Sequence, residues 1–127
     1  ARMRNDRERL LDILEAIERI HRYTGLGVEA FEKNELIQNW VVRHIQIIGE
    51  ATAKLSLAFR AKHHEVHWDM IVGMRNIIVH DYFNIDLDVV KGVLEKDLPI
   101  LKPQIVSLLD ELSAASPESG SPSRPSG

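Results

Sequence analysis

Cysteine is absent from all 127 residues, which excludes a disulfide framework, thiolate-ligated zinc or iron–sulfur chemistry and a thiol nucleophile. Long apolar runs are absent too: none exceeds about four residues, against the ~20 that a membrane-spanning helix needs, and no charged n-region with an apolar h-region opens the chain. A soluble, unexported, cytoplasmic protein is the expectation. Nor is there an excess of positive charge. Sixteen Lys and Arg stand against nineteen Asp and Glu, a net of −3, which excludes histone-like retention on nucleic acid by bulk charge and leaves only local contacts to a polyanion. Aromatics are scarce, with three Phe, two Tyr and two Trp.

What is present is aliphatic. Leu, Ile, Val and Phe make up 40 of the 127 residues, enough for a packed core and well above the composition of disordered chains. They recur at spacings of three and four rather than two, which predicts an all-α fold, and the length suits one domain. The first helix begins near Asn5, with Glu8 at capping-box spacing, and carries Leu10, Ile13, Leu14, Ile17 and Ile20 inward until Gly25 and Gly27 stop it. A long second helix is predicted from about Asn34 to Arg60, with Leu36, Ile37, Trp40, Val41, His44, Ile45, Ile48, Ala51 and Leu55 on one face. Gly49 inside it costs about 1 kcal/mol against Ala, so close approach by another backbone is the expected compensation.

A polar connection spans 62–67, and the third helix runs from Trp68 to about Tyr82, punctuated by Asn84 and Asp86. Asp86 is the natural N-cap of a fourth helix with Leu87, Val90, Val93, Leu94 and Leu98 inward. Pro99 then bends or restarts that helix, because it has no N–H to bond back to Glu95. Ile100 or Leu101, Ile105, Leu108 and Leu112 carry the stripe on. The domain is therefore placed at 1–112. Residues 113–127, almost wholly Ser, Pro, Gly and Ala, cannot bury enough apolar surface to offset their ordering entropy and are expected to form a flexible tail.

The third helix carries the chemistry. On a helical wheel Met70, Ile71, Met74, Ile77 and Ile78 form an ordinary buried stripe. Taking Arg75 as zero, Val79 falls at about 40°, Asn76 at about 100°, His80 at about 140° and Tyr82 at about 340°. Four hydrogen-bonding side chains thus share the face turned from the core, and Val72, Val79 and Phe83 lie among them. Apolar groups mixed into a polar outward face indicate that the face is covered, and a second copy of the chain is the simplest cover.

The segment Gly73-Met74-Arg75-Asn76-Ile77-Ile78-Val79-His80-Asp81-Tyr82 resembles the Arg-x4-6-His signature of the HEPN superfamily. The tyrosine two residues after the histidine is similar to the Arg-x4-His-x-Tyr motif of the HepT toxin branch. Further landmarks resemble that branch in the same order: Ile47-Ile48-Gly49-Glu50-Ala51, Trp68-Asp69-x-Ile71-Val72-Gly73 and Asp97-Leu98-Pro99. Coverage is roughly residues 3 to 112. The resemblance implies a four- to five-helix up-and-down HEPN bundle that forms a homodimer, with two copies of the motif across one cleft. It implies a metal-independent endoribonuclease toxin with RNA as substrate and no cofactor, paired with an MntA-like minimal nucleotidyltransferase antitoxin that adds AMP to the motif tyrosine. Carried over by position, Arg75 and His80 are the catalytic pair and Tyr82 is the modified residue.

The residue chemistry agrees. Metal-free RNA cleavage needs an acid or base near the 2′-hydroxyl or the leaving 5′-oxygen, which an imidazole such as His80 supplies, and positive charge at the phosphate, which the planar fork of Arg75 supplies. Asn76 is suited to fixing the imidazole tautomer or touching the phosphate. Each feature has a plainer alternative. Arg75 as a surface ion-pair partner and His80 as a helix C-terminal residue favoured by the macrodipole need no substrate. His63, His64 and His67 suggest a metal site but read more simply as solvent-facing loop residues. Lys54, Arg60, Lys62 and those histidines either guide an RNA backbone or are a solvated face. His44 reads as a satisfied core or interface histidine, and Arg43 and Glu50 as ion-pair partners or cleft residues. The functional alternative to the nuclease is a non-catalytic module that binds nucleotide or docks a nucleotidyltransferase; a purely structural helical partner is the third possibility.

Overall fold

A computed structural model describes residues 5–25, 28–78 and 86–115. Among them all regular structure is helical: α1 (Asp6–Thr24), α2 (Val28–Lys33), α3 (Glu35–Ala53), α4 (Leu57–Lys62), α5 (Trp68–Ile78), α6 (Leu87–Gly92), a π-helical turn (Val93–Asp97) and α7 (Leu98–Ala115). This is the all-α bundle expected of a HEPN domain. No described helix is long and apolar enough to cross a membrane.

Local chemistry sets several of the boundaries. At α1 the Asn5 side chain accepts from the Glu8 N–H at 2.8 Å, while the Asn5 N–H donates to Glu8 Oε1 at 2.9 Å, the reciprocal capping box that the spacing predicts. Asn34 caps α3 by accepting from the Leu36 and Ile37 N–H groups, and Asp86 caps α6 through the Val89 N–H. Leu10, Ile13, Ile17 and Ile20 are wholly buried and meet Val41, Ile45 and Ile48 of α3 in one core. α3 is the central element, packed against α1 on one side and α5 on the other, and α7 closes over α1.

The helix expected over 34–60 is two helices. α3 stops at Ala53 and α4 starts at Leu57, because Ser56 is held from across the chain: its N–H and hydroxyl both donate to the Asp6 carboxylate, at 2.8 and 2.7 Å. Ser56 Oγ in turn accepts from the Phe59 N–H and caps α4. The short α2, absent from the sequence reading, is secured by Phe31, which is fully buried, and by Gln38 Nε2 donating to the Phe31 carbonyl. Leu36 and Met70, both expected inside, are exposed. Of the alternatives at the start of α7, Leu101 is buried and Ile100 faces solvent.

Pro99 acts as expected and its effect has a definite form. The Leu98 N–H bonds five residues back to the Val93 carbonyl, so the chain makes a π-helical turn before α7 resumes. α7 runs to Ala115, past the last residue of its apolar stripe at Leu112. Residues 116–127, the greater part of the expected tail, lie outside the described residues.

Candidate active site on the fifth helix

α5 is fixed at its start by Trp68, which is buried and donates its Nε1–H to the His63 carbonyl at 2.9 Å. Ile71 and Met74 then hold its inner face in the core. Against α3 the helix comes unusually close at one point. A Cβ built on Gly49 would lie 3.0 Å from the Cβ of Arg75, 3.3 Å from its backbone nitrogen and 3.4 Å from the Ile71 carbonyl oxygen. The helix-interior glycine is thus the place where α5 leans on α3, as its cost in the sequence suggested, and the residue it admits is Arg75.

Arg75 is half-buried and its neighbour Asn76 is exposed. Among the described residues no carboxylate lies within ion-pair distance of the Arg75 guanidinium. A half-buried arginine in that condition keeps its planar donor fork available for an external anion. His80 and Tyr82, the other residues of the sequence motif, lie outside the described residues, as do Val79 and Phe83.

The remaining sequence candidates separate clearly. His44 is buried, with Nδ1 2.7 Å from the Trp40 carbonyl and its ring tilted against the Trp40 indole at 4.4 Å, so it is the satisfied core histidine expected. Arg43 and Glu50 are exposed, and among the described residues neither forms an ion pair. Of the loop histidines, His63 is not a solvent residue: it is buried, packs on the Phe59 ring at 4.6 Å, and has Nδ1 3.8 Å from the Glu65 carboxylate. His64 and His67 are exposed. Among the described residues no three His, Asp or Glu side chains gather as metal ligands.

One residue was undervalued by sequence reasoning. Arg60, on the short α4, is only partly exposed, and its Nε is buried with no hydrogen-bond partner. It stands in the wall of a cavity of about 490 Å³ between α4 and the start of α5. Nothing in the local pattern distinguishes it from the exposed Lys54 and Lys62, because its burial depends on α4 being a separate helix.

Comparison with known proteins fits this architecture. The family model described as Ribonuclease HepT-like matches residues 13–108. A Methanocaldococcus jannaschii protein named "Gamma-glutamylcyclotransferase and putative RNase" is 40% identical over 101 residues, covering 79% of this chain and 46% of its own length. The chain therefore spans about half of that relative. A "Putative RNase" of Caldanaerobacter subterraneus subsp. tengcongensis is 34% identical over 110 residues, covering 86% of this chain and 98% of the relative. A "Probable ribonuclease HepT" of Thermococcus cleftensis is 34% identical over 106 residues, covering 83% and 96%. No solved structure matches the chain. With a family model aligned from the first buried stripe of α1 to that of α7, across Gly49 and Arg75, the chain belongs to the ribonuclease HepT-like family.

Proposed function

We propose that this protein is a metal-independent endoribonuclease toxin of the cytoplasm, cleaving RNA with Arg75 and His80 in the shared cleft of a homodimer, with Asn76 in support. The observation that carries this reading is an arginine seated against Gly49, without a carboxylate partner among the described residues, in a ribonuclease HepT-like chain whose sequence continues to His80 and Tyr82. In the reaction the 2′-oxygen of a ribose attacks the adjacent phosphorus, the bond from phosphorus to the 5′-oxygen breaks, and a 2′,3′-cyclic phosphate forms. One subunit's His80 takes the 2′-hydroxyl proton while its counterpart protonates the departing 5′-oxygen, each typically worth about 10² to 10⁴ in rate. Arg75 forks two phosphate oxygens as negative charge develops on them.

Regulation is assigned to Tyr82. A partner MntA-like nucleotidyltransferase would join the phenol oxygen to the α-phosphorus of a nucleoside triphosphate, releasing pyrophosphate. The resulting anion would repel RNA from the Arg75 site by charge and by bulk. The test is incubation of the purified protein with total RNA in EDTA, with Arg75→Ala and His80→Ala alongside. Cleavage in EDTA, lost by at least about 10² in both variants, is the expected result. Stable RNA binding without cleavage would instead identify a binding module, and 5′-phosphate products that require magnesium would overturn the mechanism. Tyr82→Phe should remain an active nuclease that the antitoxin cannot silence; complete neutralisation of that variant would refute the role of Tyr82.

A further inference from the structure

We infer that the cavity between α4 and α5 is a subsite for one nucleotide of the RNA strand, with Arg60 as its phosphate anchor; this rests on the ribonuclease reading of the Arg75 site. The cavity has two kinds of wall. Leu57 and Met70, 76% and 49% exposed, offer an apolar surface backed by the Trp68 indole. Facing this mixture of aliphatic, thioether and aromatic groups are Arg60 and the exposed His64 and His67. The Arg60 Nε–H has no acceptor, and no described carboxylate lies within ion-pair distance of its guanidinium. The Nε itself is closed to solvent, but the side chain is partly exposed in the cavity wall, and a guanidinium without a carboxylate partner suits a phosphodiester oxygen. Asp69 also lines the cavity, and Glu65 lies in the same loop, 3.8 Å from His63 Nδ1; they limit the site to one phosphate rather than a polyphosphate. A volume of about 490 Å³ suits a single nucleotide, since pockets of roughly 300 to 1,000 Å³ hold small organic ligands.

The cavity also lies on a path to Asn76, the supporting residue of the proposed site. Asp69, Gly73 and Asn76 fall within about 60° of one another around α5, and Trp68 and Arg75 are about 10 Å apart along its axis. At Gly73, midway, a Cβ would meet nothing within 4 Å, so that stripe of the helix is an open track leading to the exposed Asn76. A single strand along that stripe passes from Arg60 to Asn76 and must turn about 100° round the helix to reach Arg75, which stands on the side toward α3.

The chain has two tryptophans, so two indole N–H resonances report on it by NMR, and only Trp68 lines this cavity. The probes are a short single-stranded 2′-O-methyl oligonucleotide, which cannot be cleaved by 2′-oxygen attack, AMP and inorganic phosphate. The oligonucleotide should shift the Trp68 resonance saturably and leave Trp40 in place. Arg60→Gln should weaken that binding at least about tenfold, as loss of a charge-assisted hydrogen bond implies, and should raise KM for RNA with little change in kcat. His64→Gln combined with His67→Gln, two exposed positions that leave the fold intact, should weaken it several-fold. A silent Trp68, or binding indifferent to both variants, overturns the subsite. A response to AMP or phosphate but not to the oligonucleotide overturns its assignment to a strand. If RNA is cleaved while Trp68 stays silent, the subsite alone falls; if Trp68 responds and the wild type cleaves nothing, the subsite stands and the ribonuclease reading falls.

Discussion

His21, in the last turn of α1, is the described imidazole whose proton affinity is clearly displaced. Burial is the larger cause and the nearby Lys102 ammonium of α7 the second, both pushing its pKa below the usual histidine value, while Glu18 opposes them. The sign for stability follows from proton binding. Because the folded pKa lies below the unfolded one, the unfolded chain binds more protons as pH falls beneath about 6.5, and folding is penalised there. Above that pH both states hold a neutral ring and the contribution is complete. His21→Gln should therefore lose melting temperature less steeply than the wild type between pH 7 and pH 5, with matching values above pH 7.5. Parallel curves in a thermal-denaturation series would show that the ring is not felt by the fold. The Lys91–Glu32 pair at 2.7 Å shows the opposite case. Its side-chain hydrogen bond and charge raise the lysine pKa, but an exposed pair of this kind contributes little to stability.

Two glycines inside helices make opposite predictions. At Gly73 a methyl group would meet open space, so Gly73→Ala removes only the backbone entropy that glycine loses on folding and should stabilise by about 0.5 to 1 kcal/mol. At Gly49 the same methyl would stand 3.0 Å from the Arg75 Cβ. α3 and α5 must then separate, so Gly49→Ala should destabilise by about 1 to 3 kcal/mol, as overpacking does, and should also lower RNA cleavage because Arg75 moves with α5. Differential scanning calorimetry of the pair decides the matter: melting shifts of the same sign would refute the contact. Gly49 also shows what was legible in the sequence. A glycine amid helix-forming residues and the Asn5 and Asp86 caps are local signals, and local spacing found them; Arg75, expected on the face turned from the core, is half-buried with its Cβ toward Gly49 of α3. The break at 54–56 is not local, since it depends on Asp6 reaching Ser56 fifty residues away. Arg60 was read as a solvated residue for the same reason, because an arginine at the end of one long helix has no reason to be buried. His63 was misjudged for a related reason: its position against Phe59 and beneath Trp68 follows from the packing of α4 on α5, not from the loop's polarity.

For the whole molecule the difficulty is charge. A net of −3 per chain repels a polyanion at long range, and pairing two chains doubles it, so RNA affinity cannot arise from a general field. It has to come from a few cations close to the strand, of which Arg75 and Arg60 are the described ones that lack a carboxylate partner and flank the proposed track. That restricts the salt dependence. Each phosphate neutralised on a single strand contributes a slope of about −0.7 to a plot of log affinity against log salt. Two to four contacts therefore predict a slope of roughly −1.4 to −2.8 for the uncleavable oligonucleotide, and Arg60→Gln should make it shallower by about 0.7. A bulk-charge binder would instead give a slope steeper than about −5, barely altered by removing one arginine. Anisotropy titrations from 50 to 300 mM salt distinguish the two, and the steep, mutation-insensitive outcome would mean that the strand is held by something other than the Arg60–Arg75 track.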